Sequence, residues 1–140
     1  METDFKLRHV GEPGDIDLMQ RWRADRGLDP VPVYVLPASG VVASDDSGPV
    51  AMAWLHMSNS VGVCWVECLT VKRGLGLQRA NTAAAAVLKG LEIMAAEHDY
   101  GLMIAHCELR LALAARRHGF RISGRNLTSI IKEVKRHDSD

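Results

Sequence analysis

The hydrophobic period of this chain changes at Gly76, and that change decides the class of fold it can adopt. Upstream, Gly40–Ser44, Pro49–His56 and Val61–Val71 read as β-strands. They are separated by two turn-forming clusters, Asp45-Asp46-Ser47-Gly48 and Ser58-Asn59-Ser60. Short connections of this kind join antiparallel neighbours, so the three runs predict a meander. Downstream, Ala84, Val87, Leu88, Leu91, Met94 and Ala95 form one broad apolar stripe over Asn81–His98, with Lys89, Glu92 and Glu97 away from it. Asn81 or Thr82 offers a helix cap. Asp99-Tyr100-Gly101 ends that helix, and Leu102–Cys107 follows as an almost continuous apolar run. Such a run predicts a strand covered on both faces, reached through a right-handed crossover.

The flanks complete the order. Lys6–Val10 reads as a strand, and Asp15 can cap a helix over Ile16–Asp25 that Gly27 stops. Residues 28–37 hold three prolines and read as an extended surface connection. Glu108–His118 reads as a helix stopped by Gly119; Phe120–Ser123 and Leu127–Val134 read as two further strands, before a polar tail at Lys135–Asp140. The sum is β-α-β-β-β-α-β-α-β-β, an α+β domain over residues 1–134 with a mixed, mostly antiparallel sheet and helices on both faces.

Composition matters where it excludes functions. The 140 residues carry 17 basic and 17 acidic side chains, so the balanced charge argues against a duplex nucleic-acid binder. No apolar run reaches the roughly 20 residues of a membrane helix, and the first residues do not read as a signal peptide. Three cysteines, two of them in one strand-like run, fit free thiols in a reducing cytoplasm. Cys64 and Cys68 would lie roughly 13 Å apart on an extended strand, and the histidines show no ligand spacing, so no metal site is expected. Met52, Met57, Met94 and Met103 read as core filler, and Trp54 and Trp65 as a cross-strand pair.

The element order, together with Ala115-Arg116-Arg117-His118-Gly119-Phe120 after the last helix, resembles the GNAT superfamily of N-acetyltransferases. It looks closest to small GNAT-like proteins encoded by bacteriophages, in which the acetyl-CoA loop is eroded. The resemblance implies acetyl-CoA as cofactor and an amine, on a small molecule or a protein, as acceptor. It also implies a pyrophosphate loop of the form Gln/Arg-x-x-Gly-x-Gly/Ala at the start of the central helix. There, small residues and a helix N-terminus suit an anion. Counting back from Tyr100 places the loop at Arg79-Ala80-Asn81-Thr82-Ala83-Ala84, with Arg79, Ala80, Thr82 and Ala84 as cofactor-binding residues. The rival placement is Arg73-Gly74-Leu75-Gly76-Leu77-Gln78. The resemblance further implies that Leu69 and Val71 offer their backbone to the pantetheine arm, and that Glu108 stands where many members have an asparagine on that arm.

Amine acetylation needs a base for the ammonium proton and a donor for the departing thiolate. Glu67 lies in an apolar strand, where alternation sets Trp65, Glu67 and Leu69 on one face and Cys64, Val66 and Cys68 on the other. It is the candidate base, or else one half of an ion pair with Arg23 or Arg26. His106, at the end of the predicted 102–107 strand, is a second candidate acid or base, or else a hydrogen-bonded core histidine. Ala115 replaces the tyrosine that in the family often protonates the thiolate. Its loss, with Glu108 and Thr82, favours a rival reading: a GNAT-like scaffold that binds or assembles without catalysis. Arg116, Arg117, His118, Arg121 and Arg125 read as a solvated helix end or an anion contact. An exposed edge strand near the C-terminus could pair with a second copy.

Overall fold

A computed structural model of the chain describes residues 5–107, 109–130 and 132–135. Five strands form one sheet in sequence order: β1 (Lys6–His9), β2 (Gly40–Asp45), β3 (Gly48–Met57), β4 (Val63–Val71) and β5 (Leu102–Ala105). The first four are antiparallel neighbours, and β5 joins β4 in parallel. Helix α1 (Asp15–Asp25) follows β1, α2 (Leu77–Glu97) makes the crossover between β4 and β5, and α3 (Leu109–Ala115) comes last. Short 3₁₀ turns occupy Val33–Val35 and Arg116–His118.

Helices cover both faces of the sheet. The α2 stripe, Ala83, Val87, Leu91, Met94 and Ala95, packs on Val41, Ala43, Ala51, Ala53, Leu55 and Cys64. Across the sheet, Met19 and Trp22 of α1 close on Val42, Met52 and Trp54. Over Val41–Ala43 and Ala51–Leu55, even and odd positions therefore feed different cores, the period-2 rule of a strand buried on both sides, while Val50 joins Ala51 on the α2 side. Backbone approach is tight where these layers meet. A Cβ on Gly40 would stand 2.6 Å from the Ala53 carbonyl oxygen, so only glycine fits there.

The start of α1 is built differently from the expected cap. Gly14, at φ 91°, takes the cap position, and Asp15 becomes the first helical residue. Its buried carboxylate accepts a two-pronged bond from Arg8 at 2.8 and 3.0 Å and the amides of Gly11 and Glu12 at 3.0 Å. The Arg8 guanidinium, ahead of those amides, holds the Asp15 carboxyl below its ordinary range.

Four further expectations are corrected. Helix α2 begins at Leu77 rather than near Asn81, because Gly76 breaks the chain at φ 83° and Leu77-Gln78-Arg79-Ala80 are good helix formers. Residues 120–130 and 132–135 lie in no helix or strand, so the two predicted C-terminal strands are absent from the sheet. In consequence β5 is an edge strand with Leu102 49% exposed, and is not covered on both faces; it stops at Ala105, leaving His106 and Cys107 exposed beyond it. Finally, Trp65 stands opposite His56, with ring centroids 5.9 Å apart, while Trp54 stands opposite Glu67.

Candidate active site

The site begins with an irregularity in β4. Trp54 pairs with Glu67, but Met52 pairs with Thr70, so Cys68 and Leu69 together face the single residue Ala53. Cys68 absorbs the extra residue at φ 56°, a left-handed conformation that non-glycine residues rarely take. This bulge overturns the strict alternation expected from sequence. Cys68 joins the α1-side cluster, and Leu69 packs with Val66 and Val71 on the α2 side. Burial pushes the Cys68 thiol up, against a smaller opposing pull from the Arg23 charge.

The bulge also lies where two strands part. Pairing between β4 and β5 runs from Val63 with Leu102 to Val66 with Ala105, and no further. Glu67 and His106 are the next residues on the two strands, so the structure brings both candidate catalytic residues to the point of divergence. Glu67 is half-buried, and among the described residues no cation closes on it. The arginines proposed as its partners are engaged elsewhere: Arg23 donates to the Asp29 carbonyl at 2.9 Å, and Arg26 donates to the Val71 carbonyl at 2.9 Å.

Beyond the bulge, the backbone of β4 has an open side. The Lys72 amide bonds to the Val50 carbonyl at 2.8 Å. Because backbone groups of an antiparallel strand alternate in direction, Lys72 and Thr70 face β3 while Leu69 and Val71 face away. The amide and carbonyl of Leu69 and Val71 thus form an edge with no strand beside it among the described residues, its Val71 carbonyl covered by Arg26, and this is the stretch assigned from sequence to a cofactor arm.

That edge leads into a turn at the start of α2. Gly74 and Gly76 take φ values of 93° and 83°, and a Cβ at either would meet no neighbour within 4 Å. Glycine is required there by conformation alone. Ala80 is the first amide bonded back into the helix, to the Gly76 carbonyl at 2.9 Å. The amides of Leu77 and Gln78 are among those a helix start leaves without intrahelical partners. A cavity of about 320 Å³ lies between α1, the β2–β3 turn and the end of β4, lined in part by Arg21, Trp22, Asp25, Ser47, Lys72 and Arg73; residues 74–79 do not line it.

The 79–84 segment sits inside the helix instead. Arg79 bonds the Asp45 carboxylate at 3.1 Å and covers the Phe5 ring at 4.7 Å. Thr82 returns its hydroxyl to the Gln78 carbonyl at 2.9 Å, and Ala84 is buried. The helix start therefore falls on the rival placement, Arg73 to Gln78. Ser47, then Arg79, bring Asp45 down to about 2, so the Arg79 contact joins two charged groups. Glu108 lies outside the described residues. Ala115 is buried at the end of α3, and Tyr100 gives its hydroxyl to the Ser58 carbonyl at the opposite end of α2 from the glycine turn.

Sequence reasoning missed two features. The bulge has no residue signature, since Cys68 is a poor advertisement for a positive φ. Arg26 was considered only as a partner for Glu67, and its position on Val71 depends on contacts 45 residues apart.

The fold, a mixed five-stranded sheet with helices on both faces, matches that of GNAT acetyltransferases. The sequence matches no protein-family model and no curated protein. Solved structures with the same fold include glucosamine-6-phosphate N-acetyltransferase from Arabidopsis thaliana, 13% identical with a TM-score of 0.63, over 94% of this chain and 100% of that one. An acetyltransferase from Trypanosoma brucei is 15% identical, with a TM-score of 0.65 over 91% and 100% of the two chains. N-acetylglutamate synthase from Neisseria gonorrhoeae, in complex with coenzyme A and N-acetyl-glutamate, is 15% identical with a TM-score of 0.63. The match spans 84% of this chain and 28% of the synthase.

Proposed function

We propose that this chain is an acetyl-CoA-dependent N-acyltransferase acting on an amine. The observation that carries the reading is the open edge of β4 at Leu69 and Val71, which runs from the bulge into the Gly74–Gly76 turn at the helix start. Similarity in fold to N-acetyltransferases, one of them in complex with coenzyme A, supports the same reading.

The residues fit the cofactor. Leu69 and Val71 offer outward amides and carbonyls to the pantetheine arm, as an added strand would use them. The amides of Leu77 and Gln78, at the start of α2, would hold the diphosphate, since a helix start favours negative charge. Gln78 stands where the family pattern has glycine or alanine, so that position adds a polar side chain to the turn. Bound acetyl-CoA would supply an acetyl thioester. Glu67, at the divergence of β4 and β5, accepts the proton of the incoming ammonium, directly or through water. His106, exposed just past the end of β5, would return a proton to the thiolate, a role for which Ala115 has no group and Tyr100 stands at the opposite end of α2. The acceptor is an amine on a small molecule or a protein.

The second reading, a scaffold that binds or assembles without catalysis and is similar to phage GNAT-like proteins, is favoured by the buried Ala115. Titration calorimetry with acetyl-CoA, followed by an acceptor screen, separates the two. Micromolar binding with turnover is expected. Absence of binding at millimolar cofactor would defeat the enzyme reading, and binding without turnover on any amine would favour the scaffold.

A further inference from the structure

The end of α1 and the end of β4 are clasped by two arginines acting in opposite directions. Arg26, just past α1, places Nε and Nη2 at 3.3 and 2.9 Å from one oxygen, the Val71 carbonyl. Arg73, in the turn after β4, donates Nη1 to the Asp25 carbonyl at 2.6 Å. The Arg26 arrangement is an uneven match. A guanidinium carries five donors in a planar fork suited to a carboxylate or phosphate, and here two of them converge on a single neutral oxygen. The other three bond to no described residue, and among the described residues the charge pairs with no carboxylate.

The oxygen that Arg26 covers is one of the outward groups of the β4 edge, three residues before Gly74 and therefore between the pantetheine stretch and the diphosphate turn. Resting on the cofactor reading above, we infer that Arg26 is an exchangeable ligand that selects for the diphosphate of coenzyme A. In the free protein its fork covers the Val71 carbonyl. When a diphosphate reaches the Gly74–Gly76 turn, the guanidinium gains a partner of matching charge and geometry, and moving to it uncovers the carbonyl for an amide N–H of the pantetheine arm. A thioester lacking the diphosphate gives Arg26 no reason to leave. Arg26 thus does two things at once: it binds the charged end of the cofactor and obstructs arms that arrive without one.

Binding measurements on the full chain test this without an activity assay. Dissociation constants for coenzyme A and for pantetheine, which has no phosphate, are compared in the parent, Arg26→Ala and Arg26→Gln. Arg26 is exposed, so both variants should keep the parent melting temperature. Removing the charge should weaken coenzyme A about tenfold, a charge-assisted bond discounted for solvent. Pantetheine should bind as well as before or more tightly to Arg26→Ala, since its competitor for Val71 is gone. The dissociation constant of pantetheine divided by that of coenzyme A therefore falls about tenfold. An unchanged ratio, or equal weakening of both ligands, would overturn the role of Arg26 while leaving the cofactor site standing. Failure of the parent to bind coenzyme A at all would overturn both.

Discussion

Glu67 and Asp15 are two carboxylates withdrawn from solvent to different degrees, and their surroundings give them different work. Asp15 is satisfied by four hydrogen bonds at the root of α1, so it is a structural anchor. Its carboxyl is depressed in the folded state, so its contribution is present above the ordinary carboxylate value and disappears as pH falls through the folded one. Asp15→Asn should cost about 2 kcal/mol at neutral pH, a charge-assisted network with a partly exposed arginine. Urea unfolding from pH 7 to pH 2 should show parent and variant converging at the acid end; a constant gap would reject the assignment. Glu67 has no such partner among the described residues and stands where the strands separate. Glu67→Gln should lower acetyl transfer roughly a hundredfold or more while leaving the dissociation constant for coenzyme A unchanged. Equal transfer rates would remove Glu67 from the chemistry.

At the scale of elements, the glycine turn before α2 is the feature on which cofactor binding depends. A Cβ at Gly76 meets nothing, so Gly76→Ala tests conformation without crowding. It should cost about 1–3 kcal/mol of stability through its positive φ. Reorientation of the amides beyond it should weaken coenzyme A binding by more than the stability loss alone predicts, as seen by calorimetry well below the melting temperature. The order of the first eight elements was legible in the sequence, because β2 to β4 carry turn-separated strand runs and α2 carries a continuous stripe. The start of α2 was not. Asn81 and Thr82 look like caps in a one-dimensional reading, yet Thr82 bonds backward to Gln78 inside a helix already under way. Helix propensity upstream of a possible cap decided the boundary, and the loop assignment moved with it.

Across the whole molecule, zero net charge conceals a local bias: Arg26, Lys72 and Arg73 gather at the end of the sheet where α2 begins. No described helix is long and apolar enough to cross a membrane. The sequence pattern of residues 120–134 is strand-like, but pattern alone cannot create a pairing partner, and the described residues beyond Gly119 include none that is buried. Leu127, Ile130 and Val134 are 72%, 88% and 78% exposed. A chain ending at Gly119 should therefore unfold cooperatively within a few degrees of the parent in a thermal melt. A collapse of cooperativity would show that this segment holds part of the core together.

The bulge in β4 acts as a phase shift. One additional residue at position 68 puts every later residue on the other side of the strand from the one that counting by twos along the sequence would give it, while the pairing with β3 keeps its own alternation. Deleting Cys68 would leave Leu69 opposite Ala53 and Thr70 opposite Met52, so a regular ladder would still turn the groups of Leu69 and Val71 away from β3. Such a variant should fold and keep coenzyme A binding, as calorimetry would show; loss of binding in a folded variant would mean that the kink of the bulge itself shapes the site. Cys68→Gly, which keeps the kink and relieves the positive φ, should retain binding in either case. What the strand obeys at this point is its partner, and the extra residue is set aside so that the ladder can resume.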